Sequence, residues 1–69
     1  MDNERMVKKW QGAIIRVCRE RLGRELTPQE NTFITSRTGF IALEMIEDTV
    51  KSLPAAELEK YLNPEPQIG

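Results

Sequence analysis

Apolar residues recur at spacings of three and four along most of this chain, the period of helices that bury one face. Over residues 3 to 22, Met6, Val7, Trp10, Ala13, Ile14, Val17 and Cys18 share one arc of roughly 140° when successive residues are set about 100° apart. Arg5, Lys8, Arg16 and Arg19 occupy the other side, with Lys9 at its margin. Two residues break the pattern. Ile15 falls opposite the arc among the basic groups, and Arg21 falls inside it near the helix end, where its stem lies on apolar surface while the guanidinium reaches water. Asp2 or Asn3 supplies the N-terminal cap, Glu4 sits where the helix dipole favours an anion, and Gly23 ends the helix by entering the left-handed region.

The segment Thr27-Pro28-Gln29-Glu30 carries the sharpest start signal. Thr27 at the N-cap accepts from the backbone near Glu30, Pro28 at the next position loses no needed donor, and Glu30 returns a bond to the Thr27 N–H. Leu26 stands at the staple position, although its usual partner is the polar Asn31. A long central helix over residues 28 to 52 follows. It bends or breaks near 36–39: residues 35–39 hold no apolar group, and an unbroken helix places Phe33 on the polar wedge with Arg37, Glu44, Asp48 and Lys51. One bent helix is the preferred expectation. Its second half shows two stripes, one through Phe40, Leu43, Ile46, Val50 and Leu53, the other through Ile41 and Met45 in continuation of Ile34. Leu53-Pro54 stops it, and a short helix over residues 54 to 62 presents Leu58, Tyr61 and Leu62, with Ser52 as its cap.

These elements predict an all-α protein: a small bundle of three helices with a bent or broken central helix, completed by dimerisation. Residues 1–63 are read as a single helical domain and 64–69 as a flexible C-terminal tail. The partner enters through a mismatch of area. A chain of 69 residues buries only about 60% of the surface it exposes when unfolded, whereas a surface helix needs one apolar stripe and the central helix has two. The second stripe needs a cover.

Composition narrows the chemistry. The net charge of -1 hides a division: residues 1–24 hold seven basic groups against three acidic ones, and residues 25–69 hold three against eight. The basic first helix therefore lies near the acidic remainder or faces an anionic partner. Cys18 is the only cysteine and there is no histidine, so an internal disulfide and a Cys/His metal site are both excluded. A lone thiol fits a reducing compartment, and cytoplasmic location is expected. The longest apolar run is the four residues Phe40-Ile41-Ala42-Leu43, so neither a signal peptide nor a membrane span is expected.

Catalysis is not expected either, because a base working near neutrality would have to be a strongly shifted carboxylate or Cys18. Glu44, Glu47 and Asp48 stand at helical spacing but read as solvated acids rather than a metal site. The glycines are dispersed, with no phosphate loop, and no cofactor or small-molecule substrate is expected. What remains is a non-catalytic protein–protein interaction or regulatory module, a homo-oligomer or a binder of another protein. Its expected interface residues are Trp10, Ile34, Ile41 and Met45. The alternative is a small dimeric nucleic-acid-binding protein whose phosphate contacts are Lys8, Lys9, Arg16 and Arg19.

Overall fold

A computed structural model describes residues 3–64. They form four helices: α1 (Asn3–Leu22), α2 (Pro28–Thr35), α3 (Phe40–Ser52) and α4 (Ala55–Leu62). Among the described residues there is no strand. The all-helical class holds; the expected three helices become four, because the central helix is broken rather than bent. The expected cap at Asp2 and residues 65–69 of the expected tail lie outside the described residues.

α1 ends where the sequence indicates. Gly23 has φ +70, and its N–H reaches back to the Arg19 carbonyl at 2.8 Å. The buried face of α1 is rotated from the expected arc, being built on Val7, Gln11, Ile14 and Cys18. Ile15 consequently packs against the core from the flank, while Met6 and Ala13 face water.

The capping box of α2 is complete: Glu30 N donates to Thr27 Oγ1 at 3.2 Å and Thr27 N donates to Glu30 Oε1 at 2.9 Å. After Thr35 the chain leaves the helix, and Gly39, in extended conformation, begins α3. Breaking a helix orphans its last carbonyls. Here the side-chain amide of Gln11, buried on α1, donates to the Thr35 carbonyl at 3.2 Å and to the Arg37 carbonyl. That cross-link makes the break tolerable. It also frees α3 to turn Leu43, Ile46 and Val50 inward independently of α2. Phe33 packs edge-on to Tyr61 with centroids 5.3 Å apart, and the Arg37 guanidinium lies 5.3 Å from its ring centroid.

One core joins all four helices through Val7, Ile14, Cys18, Ile34, Leu43, Ile46, Val50, Leu58 and Leu62. α1 touches every other helix; α3 packs chiefly on α1, and α4 on α1 and α2. α4 begins at Pro54 rather than with a cap from Ser52, whose hydroxyl donates instead to the Asp48 carbonyl.

Candidate interaction surface

Four large hydrophobic side chains stand in water among the described residues: Met6 at 60% exposure, Phe40 at 44%, Ile41 at 78% and Met45 at 64%. Three of them fall in the first six residues of α3. The cause is local. α3 has α1 as its main neighbour, so its inward stripe is covered while Ile41 and Met45, one turn apart, project from the opposite side. Phe40 opens the helix, where no preceding turn covers it, and its ring centroid lies 5.9 Å from that of the half-buried Trp10.

The expected interface set divides accordingly. Ile41 and Met45 are exposed, and Trp10 lies at the edge of their helix through Phe40. Ile34 is fully buried and belongs to the core, so it cannot continue an outer stripe through Ile41 and Met45. The break at 36–39 severs that register. Met6 and Phe40, expected on buried faces, are the exposed members that periodicity misplaced; for Phe40 the signal was its place directly after the helix-starting Gly39.

Acidic side chains border this surface. Glu44 and Asp48 are exposed on α3, while Glu47 reaches Lys51 at 3.8 Å. Among the described residues no group of acids, cysteine or histidine is assembled to hold a metal ion.

The basic face of α1 is engaged to different degrees. Lys8 and Lys9 are exposed, Arg16 approaches Glu20 at 3.9 Å, and Arg19 pairs with Glu25 at 2.6 Å. An open groove of about 750 Å³ runs past Arg16, Arg19 and Arg24, but Glu20 and Glu25 line it too. Each arginine there meets a carboxylate, which reduces the field available to a phosphate.

A buried ionic cluster at the α2 start was not legible as such. Glu30, with 1% of its surface exposed, takes both guanidinium nitrogens of Arg24 at 2.8 Å, the Thr27 N–H at 2.9 Å and the Asn63 side-chain amide at 2.7 Å. The Arg24 bond, aided by Thr27 and Asn63, outweighs burial and lowers the carboxyl to about 2. All its acceptor positions are used for structure, so it offers no general base.

Cys18 is fully buried, and burial, reinforced by the Glu30 charge, pushes its thiol up to about 11. A thiol so placed is protonated near neutrality and packs as a small hydrophobe. No helix among the described residues is long and apolar enough to cross a membrane. Comparison with family models, with curated proteins and with solved structures returned no match.

Proposed function

We propose that the chain is a non-catalytic interaction or regulatory module that binds protein through the outer surface of α3. The observation that supports this is the concentration of exposed apolar side chains, Phe40, Ile41 and Met45, at one end of a helix whose inward face is already packed. Patches of this kind rimmed by charge mark association sites. Association with a second copy is the simplest form of the reading, and a cytoplasmic setting agrees with the single thiol.

Affinity capture from the native host after nuclease treatment tests the proposal. A specific protein held by the natural chain and released by Ile41→Asp with Met45→Asp is the expected result. Nucleic-acid binding through Lys8, Lys9, Arg16 and Arg19 is the alternative, and the carboxylates beside Arg16 and Arg19 weigh against it. Tight, salt-sensitive binding of a labelled duplex or single strand, lost on Lys8→Glu with Lys9→Glu, would reverse the order.

A further inference from the structure

We infer that the partner on this surface is a second copy of the chain, related by a two-fold axis parallel to α1 and α3. Each copy's α3 then lies along the other's α1, with Ile41 and Met45 beside Gly12. This rests on the interaction reading above and names its occupant.

Gly12 stands in the middle of α1, where glycine is less favourable than alanine, yet a Cβ placed there would meet nothing within 4 Å. No neighbour inside the chain requires the missing side chain. The space beside Gly12 belongs to the open groove that Arg16 and Glu20 also line, so the glycine admits a close approach from outside. The charges nearby have an order. α1 and α3 lie side by side and point the same way: Trp10 meets Phe40 near one end, and Arg21 donates to the Leu53 carbonyl at 3.1 Å at the other. A residue of α1 is therefore level with the residue of α3 numbered 30 to 32 higher. With residues about 100° apart around each axis, the side of this two-helix layer away from the core carries Lys9, Arg16 and Glu20 on α1 and Glu44, Asp48 and Lys51 on α3, all exposed. In chain order the signs run plus, plus, minus on α1 and minus, minus, plus on α3.

A two-fold axis lying between the copies, parallel to the helices and midway between them, brings these outer sides together. It sets α1 over the partner's α3 and α3 over the partner's α1, pointing the same way and at unchanged height. Each residue of α1 then faces the level of α3 beside which it already stands in its own chain. Arg16 comes opposite the partner's Asp48, and Glu20 opposite the partner's Lys51, both nearly level. Lys9 lies one turn, or about 5.4 Å, before the partner's Glu44, a gap that its stem spans. Every pair occurs twice, as in an isologous dimer. Gly12 on α1 and Met45 on α3 both sit on the edges away from the axis. Gly12 falls between the levels of the partner's Ile41 and Met45, and its open space receives them. Met6 and Phe40 of both copies lie on the edges nearest the axis and close the apolar contact at one end. The contacts of Arg16 with Glu20 at 3.9 Å and of Lys51 with Glu47 at 3.8 Å are surface pairs within single helices. Pairs of that kind hold weakly enough for these side chains to turn to the partner.

Equilibrium sedimentation of substituted chains tests the arrangement. Gly12, Arg16 and Asp48 are all exposed, and circular dichroism checks that each variant keeps the helical signal of the natural chain. The natural chain is expected at twice the 8.0 kDa monomer mass. Arg16→Glu and Asp48→Lys each set like charges opposite one another at two places, and each alone is expected at the monomer mass where the natural chain is doubled. Their equimolar mixture, and a single chain carrying both substitutions, pair the charges again and should return to the doubled mass. Gly12→Gln fills the space meant for the partner without a clash inside the chain, and it should likewise stay monomeric. A natural chain that stays monomeric up to its solubility limit overturns the inference. So does a doubly substituted chain that stays monomeric, or a Gly12→Gln or single charge variant that dimerises as the natural chain does. A monomeric natural chain that still captures a different protein through Ile41 and Met45 would leave the interaction reading standing and remove only the second copy.

Discussion

Asn63 donates its side-chain amide to Glu30 across 33 residues of sequence at 2.7 Å, fixing the exit of α4 to the first turn of α2. Arg24, arriving from the α1–α2 connection, grips the same carboxylate with two nitrogens and reaches Glu59 at 3.5 Å. Three segments thus converge on one buried charge. A buried charge is costly unless its acceptor positions are filled, and here they are.

Removing that charge while keeping the shape, by Glu30→Gln, is expected to lower the unfolding free energy by about 2 to 4 kcal/mol, since the substitution disrupts a buried pair and a helix cap together. Urea unfolding followed by circular dichroism reads the loss. The same residue sets an acid dependence. Its folded value of about 2 lies below the ordinary 4.5, so its contribution is complete above about pH 5 and is lost as pH falls through 4.5 toward 2. The urea midpoint should drop over that range in the natural chain, and the drop should be smaller in Glu30→Gln. Equal slopes would remove Glu30 as the cause.

Gln11 is the second polar group on which the fold depends. Its amide satisfies the Thr35 carbonyl at the end of α2 and the Arg37 carbonyl in the connection that follows, and an apolar replacement leaves both without that donor. Gln11→Leu is expected to cost about 1 to 3 kcal/mol in spite of its greater hydrophobicity. Faster hydrogen exchange at the end of α2 should accompany the loss. A variant as stable as the natural chain would show that water replaces the amide without penalty.

The difference between what periodicity reveals and what it hides is visible in these two residues. The Thr27-Pro28-Gln29-Glu30 start, the Gly23 stop and the Leu53-Pro54 stop depend on local backbone chemistry, which a few adjacent residues specify. Phase already placed Phe33 out of register with the helix that follows, and this marked 36–39 as the site of discontinuity. Choosing break over bend required Gln11, which lies 24 residues before Thr35 and reads locally as one polar position on a helix. The burial of Glu30 depends on Asn63 in the same non-local way. Of the expected surface, Ile41 and Met45 follow from helical phase within α3 alone, whereas Ile34 was joined to them only by assuming one continuous helix.

Cys18 should resist thiol reagents in the folded chain. Its side chain is fully buried and its thiol is raised to about 11, so both access and the thiolate fraction are low at pH 8. Labelling by a disulfide reagent is expected to be limited by opening of the structure and to accelerate with urea in step with unfolding. Rapid labelling in native buffer would place Cys18 at the surface.

The two sides of α3 should respond oppositely to substitution. Leu43 is fully buried in the core shared by all four helices, and Leu43→Ala is expected to cost about 2 to 5 kcal/mol, the range for a truncated leucine with partial relaxation. Ile41, two residues earlier, projects 78% of its surface into water, so Ile41→Asp should change the stability of the isolated monomer by no more than about 0.5 kcal/mol. Its effect belongs to association, where a carboxylate set among Phe40, Glu44 and Met45 adds charge to an already acidic apolar patch. Comparing urea midpoints at low and high protein concentration separates the two contributions. For the natural chain the midpoint should rise with concentration as dimerisation stabilises the folded form, whereas for Ile41→Asp it should stay flat. A concentration-independent midpoint in the natural chain would mean that folding and association are not linked, and that the exposed side of α3 is left uncovered by its own kind.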